Sequence, residues 1–139
     1  MSALRVLKSS AIRTKTFHTC STSFVHYLNA DEAKFKELAT TPSEKLAILD
    51  FYADWCGPCK VLTPLLKKVI PDNDPKYDLI TINVDDQPDI AAQFRVSAMP
   101  TVVALKPGET PKALTGFVGA QPEPGIKKFL EAAEAERIK

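Results

Sequence analysis

The sequence predicts an α/β fold, a central mixed β-sheet flanked by helices on both faces. Two near-continuous apolar runs, "KLAILDFYA" (45–53) and "YDLITINVD" (77–85), have the pattern of strands covered on both sides. Segments of helical character alternate with them, as crossovers between sheet strands require. Two further strand-like segments, 101–106 and 112–118, then flank a "PGE" turn and read as a hairpin. A chain of 139 residues, 45% of them hydrophobic, can bury the core of one domain without covalent staples. Its cysteines are therefore free for chemistry.

The first thirty residues stand apart. They hold Arg5, Lys8, Arg13 and Lys15 with no carboxylate before Asp31, whereas the rest of the chain has 14 of the 18 basic residues and all 17 acidic ones, a formal charge of −3. The whole-chain charge of +1 lacks the basic excess of a nucleic-acid binder. The leader is basic, acid-free and rich in Ser and Thr, and has no apolar run of the roughly 7 to 15 residues that a secretory signal carries. Residues 1–23 are expected to form a mitochondrial transit peptide, cut between Thr14 and Phe24, and 24–139 the functional domain. As a helix the leader is modestly amphipathic, with Leu4, Leu7 and Ala11 on one face. No stretch approaches the roughly 18 apolar residues of a membrane-spanning helix, so a soluble matrix protein with no membrane attachment is expected. Cys20 falls in the leader, leaving Cys56 and Cys59 as the mature pair.

Beyond the leader, "FVHYLN" (24–29) predicts a short strand, and 31–41 a helix with Asp31 as its N-cap. The strand at 45–53 follows. A helix is expected from Cys56 to Ile70, kinked at Pro64, where a backbone donor is missing, and ended by Pro71. After the strand at 77–85, "PDIAAQF" (88–94) predicts a helix with proline in its first turn. A terminal helix over 122–137 follows the hairpin. The predicted order is β-α-β-α-β-α-β-β-α.

The chemistry concentrates in "DFYADWCGPCK" (50–60). A structural zinc site needs about four ligands, yet the two histidines, His18 and His26, lie in or beside the leader, and no second cysteine pair exists. No metal site is expected. A static disulfide suits a reducing compartment poorly. A redox pair uses each neighbour: Cys56 at a helix N-terminus gains stabilisation of its thiolate and attacks, while Cys59, one turn on, resolves the mixed disulfide. Pro58 stiffens the loop between the sulfurs, and Trp55 offers a flat apolar surface. Asp50, an acid inside an apolar strand, should have a raised pKa and serve as general acid or base for Cys59. The catalytic set is Cys56, Cys59 and Asp50, supported by Trp55, Gly57 and Pro58.

The stretch "DFYADWCGPCK", with "AMPTVVAL" (98–105), "NVDDQPDIAAQFRVSAMPT", "KPGE" and "GFVGA", resembles the thioredoxin family over about residues 24 to 135. The resemblance implies a thioredoxin fold and reduction of protein disulfides by dithiol exchange, with no cofactor bound. A reversible Cys56–Cys59 disulfide is the working group, reduced again at the expense of NADPH by a thioredoxin reductase. It further implies a cis Pro100 against the cysteines, pairing of the Met99 backbone with substrate, and a groove wall made by Gly119 and Ala120. Peroxiredoxins and methionine sulfoxide reductases are the implied acceptors. The chain departs from the family pattern at Thr81, where many members carry a lysine near the buried aspartate. A thiol oxidase or disulfide isomerase on the same fold is one rival reading; a non-catalytic binding subunit is another.

Overall fold

The computed structural model describes residues 26–139, and the transit-peptide expectation and Cys20 lie outside them. The elements run α1 (Glu32–Thr40), β1 (Leu46–Tyr52), α2 (Cys59–Val69), β2 (Tyr77–Asn83), α3 (Pro88–Gln93), β3 (Thr101–Lys106), β4 (Lys112–Val118) and α4 (Glu123–Ile138). The sheet order is β2-β1-β3-β4, with β1 parallel to β2 and antiparallel to β3, and β3 antiparallel to β4. β1 is thus paired on both edges. That explains its apolar run, interrupted only by Asp50, since helices cover both of its faces.

Side chains alternate across β1. Leu46 and Ile48 join Leu62 and Leu66 of α2 and Ile126 and Phe129 of α4 in one core layer. Ala47, Leu49 and Phe51 join Phe35 and Ala39 of α1 and Ile90 of α3 in the other. The predicted mixed sheet with helices on both faces is the observed one, and the two hairpin strands have the expected limits. Asp31 caps α1, accepting the Lys34 N–H at 2.7 Å. The terminal helix runs one residue past its expected end.

Two expectations need correction. In the described part of "FVHYLN" the strand reduces to one parallel bridge, Tyr27 to Ile80. The chain turns at once, because Asn29 adopts φ 56° and its N–H donates to the Thr81 hydroxyl at 2.8 Å. α2 begins at Cys59 rather than Cys56. Residues 54, 55, 57 and 58 form turns, Pro58 is the N-cap, and the first full helical bond runs from Leu62 N–H to the Pro58 carbonyl. The helix continues through Pro64 to Val69, and the Ile70 N–H closes it on the Leu66 carbonyl. Lys68 of α2 reaches Glu123 of α4 at 2.9 Å, tying the two helices at the surface. Among the described residues no helix is long and apolar enough to cross a membrane.

Candidate active site

The site forms where β1 ends and α2 begins. The turn between them is held by the Cys56 N–H on the Ala53 carbonyl at 3.1 Å, and it brings the two cysteines within 5.4 Å, Cα to Cα, as a disulfide. Both are nearly enclosed, Cys56 at 4% and Cys59 at 2% exposure, so exposure barely ranks them. Hydrogen bonding distinguishes them better. The Cys59 N–H, first in α2, points at the Cys56 sulfur at 3.3 Å. A free donor at the positive end of a helix favours negative charge there. Starting α2 three residues later than expected therefore keeps Cys56 at a helix N-terminus, now as the acceptor just ahead of it.

Ala53 and the two cysteines form a small cluster against which Tyr52, Val84 and Met99 pack. The Met99–Pro100 bond is cis, the isomer the resemblance implied, and Pro100 is buried. The Thr101 hydroxyl donates to the Ala98 carbonyl at 2.7 Å, and the Gly119 N–H to the Pro100 carbonyl at 2.8 Å, fixing this loop from both sides. Gly119 sits at φ +89°, a conformation that disfavours any side chain. Ala120 lies exposed just beyond it. Trp55 is 67% exposed, and its indole N–H donates to Asp85 at 2.9 Å, which fixes the ring beside the cysteine turn. Gly57 and Pro58 are exposed on the outer side of that turn.

Asp50 has no exposed surface at all. Burial pushes its pKa up to about 6 against the usual 3.8; the Thr63 hydroxyl, donating to Oδ2 at 2.6 Å, and the charge of Lys67 partly oppose this. Oδ1 is buried without a hydrogen-bond partner among the described residues. In the disulfide form no hydrogen bond joins Asp50 to either sulfur among those residues. Thr81 is its register neighbour on β2, but the Thr81 hydroxyl accepts the Asn29 N–H instead. Positive charge reaches Asp50 from Lys67 on α2, whereas its neighbour on β2, Thr81, is uncharged.

Sequence reasoning misses Thr63, Lys67 and Asp85. A signal exists for the first two, because Thr63 lies four residues beyond Cys59 and Lys67 four beyond Thr63, the spacing of one helix face. Nothing local marks Asp85 among its acidic neighbours. Among the described residues no group of three or more His, Cys, Asp and Glu gathers as a metal site.

The family model described as Thioredoxin matches residues 26–132. The chain belongs to the thioredoxin family. It is 37% identical to "Thioredoxin, mitochondrial" of Rattus norvegicus over 120 residues, 84% of this chain and 68% of that one. With the bovine protein of the same name, from Bos taurus, it shares 36% over 128 residues, covering 92% and 73%. Among solved structures, a thioredoxin of Malassezia sympodialis superposes with a TM-score of 0.63 at 27% identity, covering 78% of this chain and 90% of that one. A chloroplastic thioredoxin z reaches 0.65 at 26% identity, with 80% and 96% covered. Like other thioredoxins, the protein is a thiol–disulfide oxidoreductase whose redox group is a cysteine disulfide rather than a bound cofactor. Members of the family act on protein disulfides and work with a reductase.

Proposed function

We propose that this thioredoxin reduces protein disulfides in the mitochondrial matrix, with Cys56 as attacking thiol, Cys59 as resolving thiol and Asp50 as the acid–base group. The observation that carries this reading is the Cys59 N–H aimed at the Cys56 sulfur, which supports Cys56 as the thiolate once the disulfide is reduced. The Cys56 thiolate attacks one sulfur of a substrate disulfide, forming a mixed disulfide and releasing the first substrate thiolate. Cys59, losing its proton, attacks the Cys56 sulfur, so that the mixed bond breaks and the second substrate sulfur leaves. Asp50, poised near pH 6, is suited to accept a proton at neutral pH and return it later. The reducing direction, rather than an oxidase or isomerase, is supported by the Gly57–Pro58 dipeptide between the cysteines.

Met99 and Gly119 flank the cis proline, and with Ala120 they are assigned to a groove in which an extended substrate segment pairs with backbone. Recycling is assigned to an NADPH-dependent thioredoxin reductase, and the acceptors to oxidised proteins such as peroxiredoxins and methionine sulfoxide reductases. A leader over residues 1–23 and the mitochondrial relatives support the location.

The test is reduction of insulin disulfides driven by NADPH and a thioredoxin reductase, with Cys59→Ser as a trap. Turnover by the unaltered protein and mixed disulfides accumulating on Cys56 of the trap are expected; a trap that captures nothing refutes the assigned roles. For location, residues 1–30 fused to a reporter should be imported by mitochondria, and neutralising Arg5, Lys8, Arg13 and Lys15 should abolish import. A reporter left in the cytosol removes the matrix assignment.

A further inference from the structure

Asp50 is sealed from solvent, so any proton it gains or loses must cross another group. Its one hydrogen-bond partner among the described residues is the Thr63 hydroxyl, on Oδ2 at 2.6 Å. Thr63 is itself only partly buried, and it lines an open recess of about 280 Å³ together with Cys59, Lys60 and Tyr52. Asp50 does not reach that recess. Thr63 therefore touches both the sealed acid and the open recess beside the resolving cysteine.

We propose that the Thr63 hydroxyl is the proton gate of this site, orienting the Asp50 carboxyl and relaying protons between it and solvent beside Cys59. A hydroxyl is fitted to this, since it donates through its hydrogen while accepting through its lone pairs. In the resolving step the Cys59 sulfur bonds to the Cys56 sulfur and the bond from Cys56 to the substrate breaks. The electron pair leaves with the substrate sulfur, which takes its proton from solvent. The proton shed by Cys59 passes to water in the recess. Thr63 Oγ1 accepts a proton from that water as it gives its own to Asp50 Oδ2. When a reductase restores the dithiol, the same chain runs backwards and delivers the proton to the leaving Cys59 thiolate. Charge and atoms balance over the cycle.

The surroundings of Asp50 leave this duty to α2. Its register neighbours on the sheet are Thr81, uncharged and engaged with Asn29, and the apolar Val102. From α2 come Thr63 and the positive charge of Lys67, and from its own strand the Tyr52 hydroxyl, whose pKa is raised by burial first and then by the charges of Asp54, Asp86 and Asp50. The Thr63 bond also draws the Asp50 pKa down against burial, so removing it should shift the titration upward.

The proposal rests on the assignment of Asp50 as the acid–base group, and the experiment separates the two. Insulin reduction by the fully reduced protein is followed across pH for the unaltered chain, Asp50→Asn, Thr63→Val and Thr63→Ser, with the Asp50 carboxyl titrated by carbon-13 NMR. Thr63→Val should slow reduction about tenfold near neutral pH, a fraction of what general acid–base catalysis supplies. The acid limb of its profile and the Asp50 titration should both move to higher pH, and Thr63→Ser should restore both. Thr63→Ala serves as the deletion if the valine variant does not fold. An unchanged profile in the deletion variant, or uniform slowing at every pH that serine does not relieve, overturns the gate while leaving Asp50 in place. If Asp50→Asn is as fast as the unaltered protein, the acid–base assignment falls and the gate with it.

Discussion

Ala47, Leu49 and Phe51 point from β1 toward α1 and α3, while Leu46, Ile48 and Asp50 point toward α2 and α4. The first face stays apolar to its end. Phe51 meets the Phe94 ring at 5.4 Å between centroids, and Phe94 meets Phe35 at 5.8 Å, edge to face, so three aromatic rings close that layer beneath the active-site turn. The second face is apolar for two residues and then presents a carboxyl with one oxygen unpartnered. One strand thus carries its support on one side and its chemistry on the other. The difference teaches that burial stabilises the fold where the side chain is apolar and is converted into a raised pKa where it is not.

That contrast can be broken by exchanging what each face carries. Phe51→Ala should cause the larger loss, about 3–5 kcal/mol of unfolding free energy, because an enclosed ring leaves a cavity. Denaturant unfolding measures it, and a loss below about 1 kcal/mol would mean that the aromatic layer does not support the turn. Asp50→Asn should do the reverse. The native carboxyl holds its proton up to about pH 6, whereas the unfolded one releases it near 3.8, so stability falls as pH rises through this window. Removing the ionisable group should therefore stabilise the protein by about 3 kcal/mol above pH 7, because each pH unit crossed within that window costs about 1.4 kcal/mol, and by nothing below pH 3. A gain independent of pH would show that Asp50 is not held under strain by burial. Reduction of disulfides should meanwhile slow in the same variant, giving a more stable protein that is a poorer reductant.

The apolar runs at 45–53 and 77–85, the Asp31 cap and the hairpin are legible because each is written in adjacent residues whose periodicity or turn chemistry acts locally. The cysteine spacing and an acid within an apolar strand are legible for the same reason. The "FVHYLN" strand is overstated because a β-branched and aromatic run says nothing of how long a partner edge stays available; Asn29 ends the pairing by binding Thr81, 52 residues away. A start of α2 at Cys56 is suggested because a proline in the first turn fits a helix well, and only the turn closed on Ala53 moves it to Cys59.

By itself the sequence determined the order of elements from α1 onward, the sheet's central strand and the pairing of Cys56, Gly57, Pro58 and Cys59 with an acid six residues upstream, since hydrophobic period and spacing are properties of neighbours along the chain. Tertiary structure alone decided that Asp50 is sealed, that Thr63 rather than the residue at position 81 holds its carboxyl, that Lys67 supplies the charge and that Asp85 fixes Trp55. The last of these joins residues 30 apart, and all depend on how α2 lies across β1 and how β2 sits beside it. Burial and hydrogen bonding are set by what closes in space, and a carboxyl's pKa follows from both.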